Sequence, residues 1–494
     1  MPFARRSRAA LLTVTVLAVS VIPAWVLKSA SPAQAQGAVQ SISAADKKQG
    51  AEAHPQLLQE FGGAMTGAQA TYVESVGKTI AVQSGLSNAK GDFTVTLLNS
   101  PVNNAFAIPG GYVYVTRQLA ALMNNEAELA GVLGHEVGHV AARHSSKRQS
   151  AATRNAILGA LGQVLTGALL GNSAIGQIGQ EIFSTGSQLL TLKYSRGQET
   201  EADNLGITYL QRAGYDPRAM STVLQSLANQ NALDAAIKGT TNQVPQWAST
   251  HPDPASRVRA ALTRAGASAS GRTNRDVFLN GVNGLTYGDD PAQGIVDGSK
   301  FTHPALRLAF QAPNGFYLVN GTSSVAISGQ SGKGEFSTAS YSGNLESYVR
   351  TVFSGLSSQQ QIAPQTIERT TINGLTAAYG ATRATSGNSQ VDIVVYAYEF
   401  GPNQAYHFVT ISQAGQSGQF DSLFRSLRRI NATEASAVKP RRLSVVTVKT
   451  GDTLQSLSAK MAFTDKPLER FLVLNGLTFT SKLVPGQKVK LAVY

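Results

Sequence analysis

Apolar positions along this chain recur first at helical spacing and later at strand spacing. From Asp46 to about Gly85 the pattern predicts helix, broken at Gly62-Gly63. Phe93 to Leu98 and Tyr112 to Val115 read as strands, separated by Asn103-Asn104-Ala105-Phe106-Ala107 and the turn Pro109-Gly110-Gly111. A long helix follows from about Asn125 to His144, with Ala130, Leu133, Val137 and Val140 spaced as one buried face. Residues 155–180 are uncharged and glycine-rich and read as a helical lid packed on the protein, because Gln163, Asn172 and Gln177 would stand unpaired in lipid. Helix resumes near Gln180, runs through Tyr194 to Arg212, and stops at Ala213-Gly214-Tyr215-Asp216-Pro217.

The small, polar stretch Gly266 to Gly271 suits a linker. Strand-style alternation then runs from 275 to about 430, as in Leu306 to Phe310 and Val391 to Tyr396, and a helix from Phe420 to Leu427 closes it. Asn431 to Pro440 reads as a second linker, and 443–494 as strand, helix, helix, strand. No repeat of 20–50 residues is visible. The expected architecture is multidomain α+β. A signal segment covers 1–35, a mainly helical domain with a small sheet 36–270, an α/β sandwich-like domain 275–432, and a small βααβ module 443–494.

Composition narrows the function classes. With 42% hydrophobic and 14% charged residues in 494 positions, the chain is globular material for several cores. Its net charge is +13, and removing Arg5, Arg6, Arg8 and Lys28 with the first 35 residues leaves +9. That charge favours anionic surfaces, cell-wall polymer or the membrane periphery. No Lys/Arg cluster is interleaved with aromatics, so nucleic acid is not an expected partner. The absence of cysteine excludes disulfides, thiolate metal sites, cysteine nucleophiles and an acylated-cysteine anchor. The three N-terminal arginines, the apolar run Ala9 to Leu27 and Ala33-Gln34-Ala35 have the order of a secretory signal cleaved after Ala35, which places the protein in the periplasm. The run approaches bilayer length, so an uncleaved membrane anchor is the second reading of the same segment.

The candidate chemistry lies in the long helix, at His135-Glu136-Val137-Gly138-His139. Four residues advance a helix about 400°, so both imidazoles leave one face and can bind one Zn²⁺, while Glu136 is placed to take a proton from water. A hydrolytic zinc site needs a third protein ligand. His144 lies about 140° round a continuing helix from His139 and is read as a helix-end histidine. Glu199 is the better third ligand, with Asp203 one turn later receiving a ligand imidazole's N–H; Glu201 points away and is expected in solvent.

These motifs, HEVGH, then SRGQETEAD, then Ser249-Thr250-His251-Pro252 with Arg257, resemble the gluzincin family of the HtpX heat-shock protease and CAAX prenyl proteases, and its periplasmic BepA-like branch above all. Asn104-Ala105-Phe106-Ala107 with Pro109-Gly110-Gly111, and Glu126 to Leu129, match as well. The resemblance covers about 45–265. It implies one zinc on His135, His139 and Glu199, Glu136 as base, Asp203 behind the ligands, and a peptide substrate added as a strand beside Asn104, Ala105, Phe106 and Ala107. It also implies that His251 stands near the metal, either steadying the oxyanion or occupying the water position as an inhibitory ligand.

The last module resembles a LysM domain, which implies a groove for N-acetylglucosamine polymers lined by Gly451, Asp452, Thr453, Asn475, Gly476 and Leu477. The middle domain resembles the PsbP and DcrB group and is read as a spacer or docking domain. The expected function is zinc-dependent endoproteolysis of unfolded or misassembled envelope proteins, with peptidoglycan bound through the last module. A cell-wall hydrolase and a chaperone with a latent zinc site are the alternatives. A chain ending near Ala437 is expected to cleave normally and lose only wall binding.

Overall fold

The computed structural model describes residues 41–144, 194–238, 251, 254–266, 269–356, 361–386 and 389–494. The signal segment and the lid read at 155–180 lie outside these. No helix among the described residues is long and apolar enough to cross a membrane.

Helices α1 (Ala44–Glu60) and α2 (Ala68–Ala81) flank the break at Gly62-Gly63, where both glycines take positive φ. Strands β1 (Thr94–Leu98), β2 (Ala105–Ile108) and β3 (Tyr112–Thr116) form a sheet in the order β1-β3-β2, so the segment read as a connection is an edge strand. After α3 (Arg117–Leu122) come α4 (Glu126–Ala141), α5 (Arg196–Arg212), α6 (Ala219–Lys238) and α7 (Pro254–Ala265). The helix expected through Tyr194 starts at Arg196, because Ser195 and Gln198 close a capping box there.

The stretch 275–287, assigned by pattern to the middle domain, belongs elsewhere. Helix α8 (Arg275–Val282) and β4 (Thr286–Tyr287) bury Phe278, Leu279, Val282 and Leu285 in the core of the first domain.

The middle domain stacks two antiparallel sheets. Strands β5 (Ile295–Asp297), β6 (Lys300–His303) and β7 (Leu308–Gln311) make one with the later β15. The other contains β8 (Phe316–Asn320), β9 (Val325–Gly329) and β10 (Gly332–Thr338), then, after α9 (Leu345–Ser354), β11 (Ile367–Ile372), β12 (Leu375–Ser386), β13 (Ser389–Gly401) and β14 (Gln404–Gln413). Its order is β11-β12-β13-β14-β10-β9-β8. Phe301, Phe310, Phe336 and Phe408 fill the space between the sheets, while α9 covers the opposite face. Helix α10 (Asp421–Ser426) and β15 (Arg428–Arg429) complete it.

After α11 (Ala432–Ser436), the last module runs β16 (Arg441–Thr447), α12 (Leu454–Ser458), α13 (Pro467–Leu474) and β17 (Lys488–Val493). It is not a tethered unit. Strand β16 pairs with β4 as well as β17, and Leu443, Phe471, Leu474 and Leu491 share one continuous core with Leu119, Leu122 and Phe278. The buried Lys490 donates from Nζ to the carbonyls of Ala121 and Leu122 at 2.8 and 3.4 Å, capping the end of α3 immediately before α4. Removing this module would therefore open the core that carries α4, contrary to the expectation for a chain ending near Ala437.

Candidate metal centre

Helix α4 is capped by Asn125, whose side chain accepts from the Glu128 N–H at 2.9 Å. Its expected stripe is buried, with Ala130, Leu133 and Val137 inside and Val140 at the margin. Helix α5 crosses α4 closely because glycines line the contact. A Cβ on Gly138 would lie 3.2 Å from the Ala202 carbonyl, and one on Gly206 only 3.1 Å from the His135 nitrogen. This crossing sets Glu199 and Asp203 against His135 and His139.

All four of these side chains, with Glu136 and His251, are buried. The Nε2 atoms of His135 and His139 converge to 3.0 Å. Glu199 Oε1 is 3.5 Å from His139 Nε2, and Glu199 Oε2 is 3.7 Å from His135 Nε2. His251 Nδ1 lies 3.4 Å from His135 Nε2 and 3.1 Å from Glu199 Oε1. Ligands about 2.0–2.1 Å from a tetrahedral zinc stand about 3.3 Å apart, so this nitrogen and oxygen set has the size and chemistry of a zinc site. Among the described residues these four form the one group with that geometry. Glu136 Oε1 approaches His251 Nε2 at 3.5 Å.

The supporting groups are partly those expected. Asp203 Oδ1 lies 2.9 Å from His135 Nδ1, at the ring nitrogen turned away from the convergence point. Arg257, present in the motif but given no role from sequence, grips Asp203 through Nε and Nη2 at 2.7 and 2.5 Å and reaches Glu199 through Nη1. His144 stands just past the end of α4, where a helix-end histidine is expected, but has partners that reading did not give it. It is fully buried, with Nδ1 2.8 Å from His139 Nδ1, and Nε2 3.0 Å from Glu201 Oε2. Glu201, expected simply in solvent, is 53% exposed yet holds that contact. The ring of Tyr194 stacks on His139 with centroids 3.6 Å apart.

Burial pushes the Glu136 carboxyl above the usual range. Burial also raises Glu199 and Asp203, but His251 and His139 around the first, and Arg257 and His135 around the second, outweigh it and hold both below that range. For His251 burial acts downward, and the charges of Glu199 and Glu136 overcome it and raise the imidazole. Burial keeps His139 well below its ordinary value, neutral and able to offer a lone pair.

Strand β2 lies against α4 with one edge paired to β3 and no strand on the other among the described residues. Ala105 and Ala107 face the main core, whereas Phe106 turns to the opposite side and stacks on Tyr114. Asn104 is buried, its backbone tied to Thr116, and its Oδ1 has no hydrogen-bond partner. In the last module Gly451 and Thr453 are exposed and Asp452 half-buried, its carboxylate accepting from the Lys449 N–H. Asn475 differs: its amide donates to Phe471 and Lys490 carbonyls and accepts from the Lys490 N–H, so its side chain is consumed within the fold. Gly476 is exposed and Leu477 partly packed, followed by Phe479 and Val484, 68% and 61% exposed. Sequence reading passed over those two, although bulky apolar residues in a polar loop were the available signal.

Residues 67–265 match the model of Peptidase family M48, and residues 446–492 match that of the LysM domain. The chain thus carries a peptidase M48 domain and a LysM domain. It is 34% identical over 197 residues to the beta-barrel assembly-enhancing protease of Yersinia pestis, which covers 39% of this chain and 38% of that protein. The protein of that name from Escherichia coli K12 is 32% identical over the same shares. The mitochondrial metalloendopeptidase OMA1 of Schizosaccharomyces pombe is 32% identical over 217 residues, 43% of this chain and 59% of its own. The match therefore spans 38% to 59% of the length of these curated relatives.

Proposed function

We propose that a chain joining a peptidase M48 domain to a LysM domain is an exported zinc metalloendopeptidase of the bacterial envelope. The observation that carries this reading is the tetrahedron-sized convergence of His135, His139, Glu199 and His251 beside a buried Glu136. His135, His139 and Glu199 would hold one zinc ion per chain. Bound there, zinc supplies a Lewis acid that polarises the scissile carbonyl and makes water more acidic. Glu136, whose carboxyl burial pushes above the usual range, takes the proton of the attacking water and returns it to the leaving amide nitrogen. Asp203, braced by Arg257, holds the outward nitrogen of His135 and so keeps its Nε2 lone pair inward. His251 stands where the fourth group would enter, which makes this the closed state of the site, and moving it aside admits water and substrate.

A peptide adds to the edge of β2 that has no strand beside it among the described residues, and Asn104 Oδ1, without a partner among them, offers an acceptor there. The LysM domain binds peptidoglycan through Gly451, Asp452, Thr453 and the backbone of Gly476-Leu477. The relatives named for beta-barrel assembly support unfolded or misassembled envelope proteins as substrates, and the N-terminal signal segment supports a place in the periplasm. Incubating the full chain with an unfolded protein and with purified sacculi, with and without chelator, tests this reading. Chelator-sensitive cleavage of the protein, with sedimentation on sacculi that stay intact, is the expected result. Solubilised peptidoglycan would replace it with a wall hydrolase, and no cleavage of either with a chaperone.

A further inference from the structure

We infer that His144 and Glu201 are positioning residues that fix the tautomer and orientation of His139, making a second ligand relay opposite the one through Asp203. The inference rests on the proposed metal role of His139. His139 turns Nε2 towards the convergence point and Nδ1 towards His144, where two ring nitrogens meet at 2.8 Å. One of the two must donate and the other accept. If Nε2 of His139 keeps its lone pair for a metal, its proton sits on Nδ1, and His144 Nδ1 must accept. The proton of His144 is then on Nε2, which faces Glu201 Oε2 at 3.0 Å. An ionised carboxylate can only accept, so the polarity of the chain is set at that end. Every nitrogen in Glu201–His144–His139 has one role.

A second observation shows that the backbone is built for this contact. Helix α4 ends at Ala141, and Arg143 takes φ +55°, a left-handed conformation that is unfavourable for a side-chain-bearing residue. The turn swings His144 back beneath His139, with ring centroids 5.0 Å apart. On α5, Glu201 stands about 200° round from Glu199 and meets His144 from the outer side. One helix thereby supplies a ligand at 199 and the anchors of two relays at 201 and 203.

The test is zinc affinity of the full chain, measured by competition with a chromophoric chelator. His144→Phe removes the acceptor and should weaken zinc binding about 10–100-fold. His144→Gln offers a carbonyl to His139 and an amide to Glu201, and should recover most of that loss. Glu201→Ala should weaken binding about tenfold. Melting of the metal-free proteins separates misfolding from ligand orientation. Should the Phe variant not fold, Glu201→Ala, altering a half-exposed side chain, carries the test alone. Wild-type affinity in the variants, or equal losses for Phe and Gln, would overturn the relay. A wild-type chain that takes up no zinc would instead overturn the metal reading, and the relay with it.

Discussion

Lys490, in the final strand, donates to the carbonyl of Ala121 at 2.8 Å, in the last turn before the active-site helix. The LysM domain therefore closes the core of the M48 domain. Lys490→Met would strand the α3 carbonyls without a donor, and about 3 kcal/mol of stability should be lost by denaturant unfolding. A chain ending at Ala437 also loses β16 from beside β4 and the apolar contacts of α13 with α3 and α6. It should aggregate or be inactive. Normal cleavage by that chain would show that the protease domain folds without the module.

Glu136 and Glu199 should separate on substitution. Glu136→Gln removes the proposed base but none of the proposed ligands, so zinc content should persist while cleavage falls by about 10²–10⁴. Glu199→Ala should lose most of its zinc by metal analysis.

His251 occupies the fourth corner of the cluster, so His251→Ala should raise basal proteolysis of an unfolded substrate with zinc content nearly unchanged. A rate falling about 10²–10³-fold would instead give His251 the role of steadying the oxyanion.

Arg257 joins two buried carboxylates. Arg257→Met leaves them facing each other unneutralised, and the metal-free protein should lose about 3–5 kcal/mol. Zinc should restore part of this, so the gap in melting temperature between wild type and variant should narrow as zinc saturates.

His407 lies buried between β13 and β10, its Nδ1 2.9 Å from the Tyr348 hydroxyl, and burial pulls its pKa from 6.5 down to about 4. The unfolded chain binds this proton first as pH falls, so the contribution is complete above pH 6.5 and is lost towards pH 4. About 3 kcal/mol of middle-domain stability should disappear across that window. Hydrogen exchange in β13 and β14 reads this, and His407→Gln should flatten the dependence.

The sequence by itself determined the helix that carries His135, Glu136 and His139, the acidic pair at 199 and 203, and the βααβ order of the last module. These are local: a fixed helical advance per residue settles which side chains share a face. It also marked Asn104 to Ala107 through its resemblance, while the pattern alone made that segment a connection, because four residues at an edge alternate too briefly to register as a strand. Only the tertiary structure decided the rest. The 140° argument for His144 assumed a helix that continues, and the left-handed turn at Arg143 reverses the direction of that side chain. Arg257 and Glu201 acquire partners from segments more than fifty residues away. Residues 275–287 and the last module join the first core through contacts spanning hundreds of residues, and Lys490 meets its carbonyl partners only because the fold brings α3 to it. Periodicity reports which residues are buried, whereas what they are buried against depends on long-range packing that no local spacing encodes.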